Sequence, residues 1–586
     1  MRTEIDQAQA ADIAKFEAQL ARYLAGDLDE DVFRVFRLNN GIYGQRQGGH
    51  NQMVRVKIPY GSLRPEQLEK MADLSERFSR SWGHITTRQN IQFHFVQLEN
   101  IPEFMRELAS VGLTTREACG DTVRNVQGCH LAGACPFEVL DISPWAEAAH
   151  QHFLRSPIAQ RLPRKFKINF SGCATDCGQA MFNDVGVVAV SRPLPDGSVE
   201  PGFRVFVAGG LGANPHPAQA LEEFTAREDL LATIEAILRV FDHHGNRDNK
   251  LRARMKWLVD TMGMDELRER ILKERKFLLA SATWPGGVPA VVEALGDAPA
   301  GVSTSVQPTP VGIPVAITRK DDYGRWDDVN VVRGRANGTV SAYAHAHLGD
   351  ITADQFRGLA ALQRELDLEL RVTNRQNVVF RGLTEDQLRV LFVRLTSLGM
   401  AQADAERARD VVACPGADTC NLAVTQSRGL ADDIGRALEE AGLAEVGGIR
   451  INISGCTNSC GQHHISDIGF FGAERRAHGR AAPGYQMLLG GRVGSTEIEF
   501  GQKALRLPAR NAAEATVRVV RRFADERVAG EAFGEWLDRS GGASAVGTSL
   551  KELDAFPTFE EGPEYYTDFG ETGPYIVETG ASECAT

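Results

Sequence analysis

Ile451-Asn452-Ile453-Ser454-Gly455-Cys456-Thr457-Asn458-Ser459-Cys460-Gly461-Gln462 is the stretch from which the rest of the chain can be read. Ile168-Asn169-Phe170-Ser171-Gly172-Cys173-Ala174-Thr175-Asp176-Cys177-Gly178-Gln179 repeats it 283 residues earlier, with 8 of 12 positions identical. A second cysteine pair precedes each copy, Cys414 and Cys420 in one case, Cys129 and Cys135 in the other. The unit is therefore C-x5-C, a long gap, then C-x3-C, and it occurs twice. Four thiolates converging from two loops are the protein half of an iron-sulfur cluster site. Structural zinc favours tighter C-x2-4-C pairs.

Of ten cysteines, only Cys119 and Cys584 fall outside the two quartets. In a chain of 586 residues with no apolar leader at Met1 to Leu28 and no long apolar run, the expected compartment is the cytoplasm, where cysteines serve metals sooner than disulfides. No membrane span is expected. A net charge of -12 with no basic stripe argues against a nucleic-acid partner.

Apolar spacing predicts helices over 7–26 and 29–38, a strand at Met53 to Pro59, a helix from Arg64 to Arg80, a strand or hairpin over His84 to Val96 and a helix from Glu103 to Ser110. This order suggests a small ferredoxin-like half-domain. The first cysteine module adds a helix at Pro144 to Leu154, strands at Phe166 to Phe170 and Val185 to Val190, a strand into Ala208-Gly209-Gly210, and long helices from Ala218 to Leu279. Trp284 to Gly312, rich in small residues and proline, reads as a linker. The second half repeats the order, with Thr86-Thr87-Arg88-Gln89-Asn90 answered by Thr373-Asn374-Arg375-Gln376-Asn377, 287 residues on. Offsets of 287, 285 and 283 at successive landmarks indicate one duplication. The expected division is a helical arm (1–40), ferredoxin-like half-domain 1 (41–116), cysteine module 1 (117–283), linker (284–315), half-domain 2 (316–400), cysteine module 2 (401–540) and an acidic, irregular tail (541–586) draped over the surface.

The organisation resembles the siroheme- and 4Fe-4S-dependent sulfite and nitrite reductases from about Gly41 to Arg539. The likeness rests on Met53 to Gly61, the Thr-x-Arg-Gln-x-x-Gln-Phe-His run at Thr86 to His94, Arg124-Asn125-Val126, Leu162 to Lys167, Gly245-Asn246-Arg247 and the quartet Cys414, Cys420, Cys456, Cys460. It implies an α+β, pseudo-twofold protein in which each half joins a ferredoxin-like half-domain to a siroheme/4Fe-4S-type α/β module. It also implies an oxidoreductase carrying out the six-electron reduction of sulfite to sulfide, or of nitrite to ammonia. By the resemblance Cys414, Cys420, Cys456 and Cys460 hold the cluster, with Cys460 bridging to siroheme. Arg55, Arg124, Lys165 and Lys167 hold the substrate, and Thr86, Arg88, Gln92 and His94 hold the macrocycle. Cations suit a carboxylate-rich cofactor and an anionic substrate, and their protons can be delivered as S–O or N–O bonds break. The Lys165-x-Lys167 pair and Cys119-Gly120-Asp121 look more like the sulfite branch.

The chain departs from the assimilatory pattern in keeping Cys129, Cys135, Cys173 and Cys177 complete. That leaves two readings: a second cluster acting as a relay, or a second siroheme site bridged by Cys177. Under the repeat Arg88 maps to Arg375, Arg124 to Arg409 and Lys167 to Arg450, while Lys165 meets Gly448 and Arg55 falls near Ala342 or Tyr343. One catalytic site is expected, with a second cluster beside it. Gly490-Gly491 and Gly209-Gly210 read either as a close approach to cofactor or as turns ending strands. No flavin or nucleotide motif is apparent, so electrons are expected from a ferredoxin or a flavoprotein subunit. The reading of another class is an electron-transfer protein with several clusters and no substrate, which would not need the cationic set.

Overall fold

The computed structural model describes residues 5–281, 321–334, 339–494, 498–577 and 580. The expected linker at Trp284 to Gly312, and Cys584, lie outside them. Helices Gln7–Leu24 and Glu30–Asn39 form the N-terminal arm, capped by Asp6 and Asp29, whose carboxylates accept backbone N–H groups at 3.2 and 2.9 Å. The arm buries Ile13, Phe16, Leu20 and Phe33.

Each half supplies an antiparallel sheet and its own helices. In the first, the order is Ile42–Gly44, Asn51–Val56, Ile91–Gln97, Trp82–Ile85, and then Asp350–Thr352. In the second it is Val331–Arg333, Val340–Ala344, Val378–Leu383, Glu369–Val372, and then Ser62–Leu63. The fifth strand of each sheet thus comes from the other half: Ile351 pairs with Gly83, and Leu370 with Leu63. One continuous core runs through both sheets, joining Phe93 and Phe104 to Phe356 and Phe380.

The two cysteine modules are five-stranded mixed sheets of identical order. In the first, Gln127–Gly128, Ile168–Ser171 and Val185–Pro193 run parallel, followed by antiparallel Val199–Val207 and Gln219–Thr225. In the second, Val412–Ala413, Ile451–Ser454 and Ile468–Ala477 are parallel, followed by antiparallel Arg480–Leu489 and Gln502–Pro508. The central parallel strands, Ile168–Ser171 and Ile451–Ser454, are buried throughout, as strands covered on both faces are.

Two expectations are corrected. Helix was expected from Ala218, but Gln219–Thr225 is an edge strand with two irregularities in register; the helices begin at Leu230. Its apolar residues Leu221 and Phe224 are spaced as a helix would space them, and the pairing with Val199–Val207 decides otherwise. Nor is the tail simply draped. It contains helix Gly542–Thr548, and it buries Tyr566, Phe569 and Tyr575. Asp568 accepts from the Gln426 N–H at 2.9 Å, and the Tyr575 hydroxyl donates to the Val424 carbonyl at 2.9 Å. The tail therefore clamps the segment that follows Cys420.

Candidate active site

Parallel pairing of Val412–Ala413 with Ile451–Ser454 delivers the two cysteine loops of the later quartet side by side. The Cys414 N–H donates to the Ile453 carbonyl at 3.2 Å, and the Gly455 N–H points at the Cys414 sulfur at 3.3 Å. The turn has no room for a side chain at Gly461, where a Cβ would stand 2.0 Å from the Ile453 oxygen. Burial, then the neighbouring cysteines, push the Cys414 thiol up to about 12; Cys420 and Cys456 are pushed up for the same reasons. Four sulfurs that repel one another as thiolates need bound metal to carry the charge. Among the described residues no three His, Cys, Asp or Glu side chains meet as one ion would require, whereas a cluster spreads its ligands around a cage. Cys460 alone of the four is exposed.

What faces Cys460 is fixed by one hydrogen bond: the Thr87 hydroxyl donates to the Cys460 carbonyl at 2.9 Å. This seats the Thr86–Arg88 turn of the first half on the cluster loop of the second. Thr86 itself is spent on the turn, accepting from the Arg88 N–H at 3.1 Å. Arg88 is half-buried with neutral partners: Asn169 at 3.2 Å, Asn183 at 3.4 Å and the Asn125 carbonyl at 2.7 Å. Desolvation, then Arg124, Arg254 and Arg55, push its guanidinium down to about 9. Lys167 is driven well below the usual lysine range by burial and by Arg88, Arg254 and Lys165. The acid in their midst, Asp184, is already bound by Arg254 at 2.9 Å and by the Lys167 N–H at 3.0 Å. Arg124 Nε donates to the Gly120 carbonyl at 2.9 Å, and five expected residues, Arg55, Arg88, Arg124, Lys165 and Lys167, share one positive field.

Gln92 and His94 continue the same strand. With its amide oxygen toward Arg55, Gln92 accepts from that guanidinium at 3.0 Å. His94 stacks on Trp82 with ring centroids 5.5 Å apart, and neither ring nitrogen has a partner. Burial pushes it down to about 3, so it is neutral. It lines a cavity of about 580 Å³ between the first sheet and the Cys414–Cys420 loop, closed by the tail at Asp568 and Tyr575. Unmet donors at Arg88 Nε, Ser459 Oγ and His94, together with excess positive charge, suit an anionic macrocycle. The residues fit siroheme and a 4Fe-4S cluster.

The mirrored site beside Cys177 is lined differently. The register that sets Arg55 opposite Gln92 sets Tyr343 opposite Val379, so Tyr343 takes the place of Arg55. Its hydroxyl lies 2.8 Å from His130 Nε2. Glu406 binds Arg450 at 2.9 Å and Arg375 at 3.3 Å, and those arginines hold its carboxyl down at about 2 against burial. The cavity among these residues measures about 20 Å³.

Sequence reasoning missed Arg254 and Asn183, and quoted Asn125 only within a motif and without a role; all three act through contacts across separate elements. Gly245-Asn246-Arg247, quoted for the family likeness, lies at a helix end, where Arg247 pairs with Asp242 on the surface at 2.6 Å. The Gly-Gly pairs pack closely on protein, as strand-ending turns would: a Cβ on Gly491 would be 2.4 Å from the His464 carbonyl, and one on Gly209 would be 2.6 Å from Phe182.

A model of the nitrite and sulphite reductase 4Fe-4S domain matches residues 119–277 and 404–545, and one of the nitrite/sulfite reductase ferredoxin-like half domain matches 43–111 and 333–398. The chain belongs to the nitrite and sulfite reductase family. Within it, the chain is 30% identical over 518 residues to an assimilatory ferredoxin-dependent nitrite reductase of Haloferax mediterranei, covering 86% of this chain and 84% of that protein. It is also 30% identical over 526 residues to a ferredoxin sulfite reductase of Mycobacterium tuberculosis, covering 85% of this chain and 87% of that one. The solved structure of the Mycobacterium tuberculosis NirA protein superposes with a TM-score of 0.73 at 28% identity, over 90% of this chain and 94% of the other. Among the described residues no helix is long and apolar enough to cross a membrane.

Proposed function

We propose that this reductase carries out the six-electron reduction of sulfite to sulfide at a single site between its halves, drawing electrons from a ferredoxin in the cytoplasm. The observation that carries the reading is the Thr87–Cys460 hydrogen bond, which sets the cationic field of the first half against the exposed cysteine of the second. Cys414, Cys420, Cys456 and Cys460 would hold the cluster, and siroheme, held beside Cys460, would supply the iron centre for reduction of the oxyanion. Arg88, Gln92 and His94 would hold the macrocycle, with Arg88 offering positive charge to its carboxylates.

The remaining cations act on substrate. Arg55, Arg124, Lys165 and Lys167 offset the two negative charges of sulfite, and charge preorganised in this way stabilises an anion without solvent reorganisation. Lys167, whose proton is held loosely, takes one up when the anion arrives and releases it to a departing oxygen. Sulfite is favoured over nitrite because a dianion repays the cost of crowding Lys165 beside Lys167, where a monoanion repays less.

The test is turnover with sulfite and with nitrite, each driven by reduced ferredoxin, for the wild type and for Lys167→Ala. Selective loss of sulfite turnover, with the haem spectrum retained, supports the reading. Equal loss with both anions refutes the substrate preference, and loss of siroheme with normal turnover per remaining haem refutes the role of Lys167.

A further inference from the structure

The first quartet reproduces the second bond by bond. Cys129 N–H donates to the Phe170 carbonyl at 3.0 Å, as Cys414 does to Ile453 at 3.2 Å. Asn169 Nδ2 donates to the Gly178 carbonyl at 2.8 Å, as Asn452 does to Gly461 at 2.8 Å. The N–H of Gly178 donates to Ser171 at 3.1 Å, as that of Gly461 does to Ser454 at 3.0 Å. Asp176 and Gln179 take left-handed φ of 56° and 59°, matched by Ser459 and Gln462 at 58° and 63°. Backbone strain of this kind, kept at four non-glycine positions, holds the two loops in one shape. Three of the four sulfurs are buried, and Cys135 lies beside Cys173 as Cys177 does beside Cys129. The place a second macrocycle would take is filled by Tyr343 and the Glu406 ion pairs.

The two quartets are also connected. Gln179 and Gln462, each two residues past its quartet's last cysteine, exchange a pair of amide hydrogen bonds at 2.8 and 2.7 Å across the pseudo-twofold axis. Asn374 Nδ2 donates to the Cys177 carbonyl at 2.7 Å, the mirror of Thr87 on Cys460. A short run of bonds therefore leads from Cys177 through Gly178 and Gln179 to Gln462, Gly461 and Cys460.

We propose that Cys129, Cys135, Cys173 and Cys177 ligate a second 4Fe-4S cluster with no haem of its own, which relays electrons to the catalytic cluster through the Gln179–Gln462 pair. The ligation step releases one proton from each thiol as its sulfur binds iron. In the relay, the cluster gains one electron from the low-potential iron-sulfur donor and loses one to the catalytic cluster. No bond is made or broken, and six such passes complete one sulfite. The relay rests on Cys460 marking the catalytic site; the ligation does not.

Iron and acid-labile sulfide are counted on purified holoenzyme beside the siroheme spectrum. About nine irons per siroheme are expected, from two clusters and one haem; about five would overturn the proposal with no variant needed. In Cys173→Ser/Cys177→Ser, about four irons should be lost with siroheme retained, and an unchanged count overturns ligation. For the relay, Gln179→Leu should keep all iron while slowing reduction of the siroheme by reduced ferredoxin in stopped flow. Undiminished reduction of the siroheme overturns the relay alone. Absence of siroheme from the wild type would instead overturn the catalytic reading and leave the iron count standing.

Discussion

Glu406→Gln should destabilise the protein by about 3 kcal/mol while leaving the catalytic pocket untouched. The change keeps shape and hydrogen-bonding capacity but removes the charge facing Arg450 at 2.9 Å and Arg375 at 3.3 Å. Those arginines hold the carboxyl at about 2, where an unperturbed glutamate would sit at 4.5. At about 1.4 kcal/mol per tenfold, that difference is worth ~3 kcal/mol, which agrees with the roughly 3–5 kcal/mol lost when one partner of a buried pair is removed. The folded value lies below the unfolded one, so the stabilisation is complete above pH 4.5 and fades as pH falls through about 2. Urea midpoints of wild type and variant should therefore differ clearly at neutral pH and converge in acid, with unchanged slopes. Equal midpoints at neutral pH would show that Glu406 does not neutralise the mirrored cations. A gap that persists at the lowest pH would show that its role is packing.

Cys460→Ser should abolish sulfite reduction, and a variant that keeps both cofactors and full turnover would refute its place as the bridge. Lys165→Ala should lower turnover ~10²- to 10³-fold, the usual cost of one preorganised charge donor, with the haem spectrum intact; turnover near that of the wild type would remove Lys165 from the substrate site. Gly461→Ala should prevent assembly of the catalytic cluster, because its Cβ would stand 2.0 Å from the Ile453 oxygen; an unchanged iron count would show that the turn has slack. Tyr575→Phe removes the hydroxyl bound to Val424 and should quicken loss of that cluster in air, followed by visible bleaching.

The duplication was legible because it repeats whole words: the Cys-Gly-Gln endings and the Arg-Gln-Asn turns recur at nearly constant offset. The strand exchange was not, since Ser62–Leu63 and Asp350–Thr352 are too short for periodicity to register. Gln219–Thr225 misled because residues at an irregular sheet edge need not alternate. For the site, residue types came from resemblance, and their grouping came only with the fold. Nothing local in the chain says that Arg254 and Asp184, 70 positions apart, form a buried pair, or that Thr87 lies against Cys460. Position sufficed in one case: the offset placed Tyr343 near the counterpart of Arg55, and the register confirmed it.

The exchanged edge strands give the monomer the arrangement of a strand-swapped homodimer, and that bears on how its two sites came to differ. Were the halves separate identical chains, every substitution would appear twice. A tyrosine placed where Arg55 stands would fill both pockets at once. Covalent joining frees each copy to change alone. One copy could then give up its haem seat and keep its cysteines, while the other kept the cations that sulfite needs.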